Sequence, residues 1–101
     1  MKLRSVAITG VIALGTIATA ANAADPNLGR NLAATCANCH GTNGKSVGGM
    51  EALAGLPKDK IVKNMKEFKS GEKPASIMHQ LSKGYNDAQI DAIATFLSAQ
   101  K

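Results

Sequence analysis

Cys36-Ala37-Asn38-Cys39-His40 is the stretch that decides how this chain folds. Two thiols three residues apart, followed at once by an imidazole, form the C-x-x-C-H pattern through which haem c is covalently attached. Residues three apart on a helical turn share one side. Both sulfurs can therefore reach one edge of a porphyrin while the next residue turns its ring toward the metal. Cys36 and Cys39 are expected to form the thioethers to a single haem, and His40 to bind its iron. They are the only two cysteines among the 101 residues.

Other readings of these residues fit less well. A thioredoxin-like thiol pair also reads C-x-x-C, but it requires a strand-helix-strand context, and the flanking sequence carries almost no strand pattern. Structural zinc needs four ligands. The Cys and His residues available are Cys36, Cys39, His40 and His79, and the adjacent Cys39 and His40 suit one tetrahedron poorly. A plain disulfide explains neither the histidine nor the spacing. A haem-free thiol redox protein is the weakest of the functional readings.

Toward the N-terminus, Met1 to Ala23 reads as a secretory signal peptide. Lys2 and Arg4 form the basic start, Val6 to Ala20 is apolar and small, and Ala21-Asn22-Ala23 is an A-x-A cleavage site. The apolar run is shorter than the roughly 18 to 20 residues that span a bilayer, and Gly10 and Gly15 interrupt it. Cleavage after Ala23 is expected to leave residues 24–101 as one monohaem domain, exported to the periplasm and without a membrane span. Compartment and motif agree, because two unmodified cysteines in an oxidising compartment tend to pair, and haem attachment removes that possibility.

A domain this short is marginal on its own hydrophobic core and usually draws on a cofactor, metal or disulfide. The haem is expected to serve as the core. The formal charge is +5, from 12 Lys and Arg against 7 Asp and Glu, and Lys2 and Arg4 leave with the signal peptide. So small an excess, with no recognition motif, argues against a nucleic-acid partner.

The elements follow from local signals. Asp25-Pro26 is expected to cap a helix and supply proline at its first position. Leu28, Leu32 and Ala33 then share one side as that helix runs into the cysteines. Gly29 inside it costs about 1 kcal/mol relative to alanine, and the expected reason is close approach of another helix. Residues 41–49 form a loop. Its Gly44-Lys45-Ser46 is not a phosphate-binding loop, because Cys39 stands where that motif requires glycine.

Pro57 opens the middle helix, with Ile61, Val62, Met65 and Phe68 on one face and Lys60, Lys63 and Lys66 opposite. Gly71 and Pro74 end it. The lysines are expected to form a solvated face, with docking to an acidic partner as the alternative. A helical turn follows at about Ser76 to Lys83 and is closed by Gly84. Asn86 and Gln89 can form a capping box for a last helix that carries Ile90, Ile93, Ala94 and Leu97. The expected class is all-α, with helices and loops wrapped around one covalently bound haem.

The second axial ligand has four candidates: Met50, Met65, Met78 and His79. Met50 follows His40 closely, and Met65 faces the core stripe, so each is expected to need a detour to reach the other haem face. Met78 comes after a complete helix, far enough for the chain to cross over, and is favoured, with His79 as the main competitor. A thioether favours ferrous iron and raises the potential relative to a second imidazole. If Met78 serves only in packing, the chain becomes a ligand-binding haem protein.

Taken together, Asp25 to Lys101 resembles class I cytochrome c. The shared pattern is an N-terminal helix entering C-x-x-C-H, a glycine-rich loop, a middle helix, a ligand methionine and a C-terminal helix. In that family the first and last helices cross at a glycine-aromatic contact, which the resemblance assigns to Gly29 and Phe96. The family commonly has a proline in the loop after the haem motif. A backbone carbonyl near it orients the proximal histidine. Here Gly48-Gly49-Met50 stands in place of that proline, and a glycine carbonyl is expected to take the role.

More narrowly, Leu32-Ala33-Ala34-Thr35-Cys36, Leu53-Ala54-Gly55-Leu56-Pro57, Phe68-Lys69-Ser70-Gly71-Glu72-Lys73-Pro74 and Lys83-Gly84-Tyr85 are similar to the cytochrome subunits of flavocytochrome c sulfide dehydrogenases. That likeness implies an electron-transfer subunit with no catalytic site of its own. A flavoprotein subunit carrying FAD would oxidise sulfide. This chain would accept the electrons and pass them to a soluble carrier such as another cytochrome c. The likeness also places the distal iron ligand at Met78. Some members carry two haem domains, whereas this chain has one C-x-x-C-H. A free-standing periplasmic shuttle is the alternative. Leu53, Leu56, Ile61, Met65 and Leu81 are expected to exclude water from the iron, and Tyr85 to hydrogen-bond a haem propionate.

Overall fold

The computed structural model describes residues 25–101 together with Gly10 and Gly15. The expected signal peptide and its cleavage point otherwise lie outside the described residues. Among the described residues there is no strand, and no helix is long and apolar enough to cross a membrane. Five α-helices make up the frame: α1 Leu28–Ala33, α2 Ala37–His40, α3 Lys58–Ser70, α4 Met78–Leu81 and α5 Asp87–Ser98. Turns of 3-10 helix at Ala34–Cys36, Thr42–Gly44 and Ser82–Gly84 link them.

The N-terminal segment departs from the expected helix in two ways. Asp25 does not cap it. Its carboxylate accepts the Asn27 N–H at 2.9 Å and its carbonyl accepts the Leu28 N–H at 3.0 Å, so Asp25 closes a turn of its own. The cap position falls to Asn27. Nor does one helix run unbroken into the cysteines. The tighter turn at Ala34–Cys36 separates α1 from α2, and the Thr35 hydroxyl donates back to the Leu32 carbonyl at 3.2 Å. Such back-bonding competes with the helical ladder.

The middle and last helices form where their local chemistry places them. Pro57 occupies the cap position of α3, and Gly71 ends it at φ 85 in the left-handed region, which glycine adopts without a Cβ penalty. Ile61 and Met65 on its inner face are buried. The capping box of α5 is complete: Asn86 accepts the Gln89 N–H at 2.8 Å, and Gln89 accepts the Asn86 N–H at 2.9 Å. The link into α5 is anchored to α3 by the Lys69 ammonium, which donates to the Tyr85 carbonyl at 2.6 Å.

The core gathers where α5 meets α1 and α3. Ile90, Ile93, Ala94 and Leu97 from α5 pack with Ala33, Ile61 and Met65. The crossing of α1 and α5 depends on Gly29. A Cβ there would overlap the Ala92 carbonyl oxygen and stand 3.1 Å from Phe96 Cβ, so only glycine permits this approach. The exposed ion pair Lys58–Asp91, at 2.9 Å, also joins α3 to α5, although exposed pairs of this kind contribute little.

Gly29→Ala should therefore lower the thermal midpoint by an amount equivalent to about 1–3 kcal/mol, since overpacking outweighs alanine's helix propensity. Gly84→Ala, where a Cβ meets nothing within 4 Å, is the control and should leave the midpoint close to wild type. Equal midpoints for Gly29→Ala and wild type would contradict the packing account.

Candidate functional site

One cavity of about 290 Å³ lies between the core and the C-x-x-C-H segment. Cys36, Cys39 and His40 line it from one side of the fold, and Ile61, Asn64, Met65 and Phe68 of α3 line it from another. Met78 and Leu81 of α4, Ile93 and Leu97 of α5, and Leu53 and Leu56 of the preceding loop contribute further wall. Glu51 carries the only formally charged side chain on this lining apart from the titratable His40.

The short helix α2 presents the cysteines and His40 together. It ends at Gly41, whose φ of 83 lies in the left-handed region and where a Cβ would come within 2.6 Å of the Lys45 carbonyl oxygen. The chain therefore turns sharply directly after His40. Cys39 is exposed and Cys36 half-buried. Burial pushes the Cys36 thiol up, partly offset by its hydrogen bonds to Thr35 and to its own backbone.

His40 is held through its Nδ1, which lies 2.6 Å from the Glu51 carbonyl oxygen. The expected acceptor was a glycine carbonyl in Gly48-Gly49-Met50, but the structure uses Glu51. The reason lies in how the loop closes. The buried Gly44 carbonyl accepts two donors, Leu53 N–H at 2.8 Å and Ala54 N–H at 3.1 Å. Gly55 N–H bonds the Leu97 carbonyl at 3.0 Å. These bonds fasten the returning limb of the loop at 53–55, and Glu51, two residues before it, meets the histidine.

Met50, Met65 and Met78 all line the cavity, whereas His79 does not. Met50 and Met65 therefore share the cavity wall with the favoured Met78. The Nδ1 of His79 is buried without a hydrogen-bond partner. Leu53, Leu56, Ile61 and Met65 wall the cavity as expected, but Leu81 is 49% exposed and Ile77 53%, so α4 forms its rim. Tyr85 lines the cavity with its hydroxyl 2.9 Å from Thr35 Oγ1. That bond ties the link before α5 to the residue preceding Cys36, a contact between chain segments that local sequence signals do not carry.

The donor set fits a c-type haem. Two thiols, one imidazole with an oriented ring and several thioethers face one largely apolar cavity beside an otherwise small core. Soft sulfur and imidazole donors suit iron in haem.

Comparison with known proteins agrees with that chemistry. The family model for cytochrome c matches residues 27–101. The cytochrome subunit of sulfide dehydrogenase from Chlorobaculum tepidum is 32% identical over 67% of this chain and 62% of its own. A thiosulfate dehydrogenase electron acceptor from Thiomonas intermedia is 34% identical over 68% of this chain but only 33% of its own. The chain thus spans less than two thirds of these two relatives. Cytochrome c-553 of Nitratidesulfovibrio vulgaris is 34% identical over 97% of this chain and 98% of its own. With an all-α frame, a C-x-x-C-H segment at the cavity and a family match over all but two of the continuously described residues, the chain belongs to the cytochrome c family and carries the class I fold.

Proposed function

We propose that this chain is a periplasmic one-electron carrier in which Cys36 and Cys39 anchor one haem c and His40 and Met78 bind its iron. Membership of the cytochrome c family itself implies electron transfer through a c-type haem. When bound, the haem supplies a one-electron ferric/ferrous couple. The single observation that carries the reading is the convergence of both cysteines and His40 on one apolar cavity that Met78 also lines; the choice of Met78 among the methionines there rests on the resemblance to the family.

The chain's own groups define what that cavity does. The Glu51 carbonyl can only accept, so its contact with His40 fixes the proton on Nδ1 and leaves Nε2 unprotonated for a metal. A hydrogen bond of this kind also sets the ring's orientation and raises its basicity as a ligand. The Met78 thioether is a soft neutral donor that favours the ferrous state. Leu53, Leu56, Ile61 and Met65 exclude water, which disfavours the more highly charged ferric state and raises the potential further. If His40 and Met78 both hold the iron, they would leave it no open position for a substrate, and electron exchange with partners would be outer-sphere. The exposed Cys39 places one edge of the cavity at solvent.

The donor in this reading is a sulfide-oxidising flavoprotein, with FAD on that partner and a soluble carrier, such as another cytochrome c, as the acceptor. Its support is the run of shared phrases from Leu32 to Tyr85 and the relative from Chlorobaculum tepidum. A second reading, a free-standing soluble shuttle, is favoured by the nearly end-to-end match to cytochrome c-553. Export and cleavage after Ala23 belong to both, supported by the Lys2 and Arg4 start and the Ala21-Asn22-Ala23 site. The outer face of α3 carries Lys60, Lys63 and Lys66 beside Asp59 and Glu67, and Lys63 pairs with Glu67 at 3.7 Å, so a lysine face is present for an acidic partner.

Size exclusion of the protein from its native source, with spectra across each peak, separates the two. Haem and flavin bands eluting together above monomer size are expected for the flavoprotein subunit; haem alone at the monomer position would favour the shuttle. Met78→Ala should lower the reduction potential and open the ferric iron to cyanide, whereas Met50→Leu and Met65→Leu should change neither property substantially. A Met78→Ala protein with the wild-type potential would contradict the assignment of Met78.

A further inference from the structure

Ser82 is the only buried polar residue among the described residues, at 0% exposure. Its hydroxyl oxygen lies 2.5 Å from the Met78 carbonyl oxygen and 3.9 Å from the Met65 sulfur. A hydroxyl has one proton to give. The carbonyl is the nearer and stronger acceptor, so the proton points to Met78, and the Met65 sulfur packs against the hydroxyl from the other side. The Met78 carbonyl also accepts the Ser82 N–H. One residue therefore supplies both donors to the backbone of Met78.

Besides the packing of the Met78 side chain against the core, local structure does little to fix that segment. The helix α4 is a single turn of four residues with no side-chain cap at Ile77, and a helix so short has no stability of its own. Ile77 and Leu81 stand half exposed at the rim. Packing alone does not account for the serine, since alanine would occupy the same space without the desolvation cost of a hydroxyl. Meanwhile three methionines line the cavity, and their chemistry is identical. Ser82 touches two of them: it bonds the backbone of Met78 and packs against the sulfur of Met65.

We propose that Ser82 is the positioning residue that holds Met78 at the cavity and keeps Met65 as part of its wall, and so determines which thioether the iron receives. This rests on Met78 as axial ligand, proposed above. The device works through the backbone: the hydroxyl ties the Met78 peptide to the 3-10 turn at Ser82–Gly84, which in turn is held against α3 by Met65.

The test is a titration of the ferric holoprotein with imidazole, a nitrogen ligand that competes for the iron, together with the sulfur-to-iron absorption band. Ser82→Ala should bind imidazole about tenfold more tightly than wild type, the factor that loss of one buried hydrogen bond produces. Ser82→Cys, which keeps the volume and weakens the donor, should shift affinity in the same direction by less. Ile90→Val is the control. Ile90 is as deeply buried as Ser82 but lies outside the cavity wall, so this variant should lose thermal stability while keeping wild-type imidazole affinity. Unchanged affinity in both Ser82 variants would overturn the proposal, as would an equal shift in Ile90→Val. A wild-type protein with no sulfur-to-iron band would overturn the Met78 assignment instead.

Discussion

Ile61, Met65, Ile93 and Leu97 belong at once to the hydrophobic core and to the wall of the cavity. That double use governs the rest of the structure. A domain of this size buries too little apolar surface to hold a separate core and a separate pocket. The inner faces of α3 and α5 therefore serve both, and whatever fills the cavity completes the core. Stability and cofactor binding are consequently one property here, because a group bound only by the folded state stabilises it by mass action or, once covalently attached, by packing. The crossing at Gly29 matters for the same reason. It brings α1 close enough to α5 for the cysteine segment to sit beside that shared wall.

The connection between His40 and Glu51 shows how a loop without a proline can still be stiff. Gly44 contributes a carbonyl that accepts from both Leu53 and Ala54, and Gly55 is fastened to the end of α5. The loop is pinned at its return rather than braced along its length, so its exposed tip at Val47 to Gly49 carries no burden of positioning. The carbonyl that orients the histidine belongs to Glu51, two residues before the pinned segment. A similar division holds on the other side of the cavity. Lys69 and Ser82 anchor the backbone around α4 and the link to α5, and the rim side chains remain half exposed.

Features governed by neighbours in the chain were legible in the sequence. The start and stop of α3 follow from Pro57 and Gly71, the start of α5 from Asn86 and Gln89, and the core stripe of α5 from its apolar period. The cysteines and His40 were legible as a group because their spacing is itself the chemistry. What the sequence obscured depends on contacts between distant segments. The Asp25 carboxylate could cap a helix or close a turn, and the path of the chain selects the turn. The acceptor for His40 depends on bonds from Gly44 to residues nine and ten positions on. The placement of Met50 and Met65 at the cavity depends on how the loop and α3 close around it, which no local pattern encodes. The break at Ala34–Cys36 lies where the chain leaves α1 for the turn that carries the cysteines.

The central claim is that this cavity exists to hold one haem, fixed to the chain through Cys36 and Cys39. Intact-mass measurement of the purified native protein, followed by peptide mapping of the segment containing Cys36 to His40, tests it most directly. The account predicts one haem per chain, with both cysteines recovered on the same haem-bearing peptide. Recovery of that peptide without haem, its cysteines free or joined as a disulfide, would contradict it.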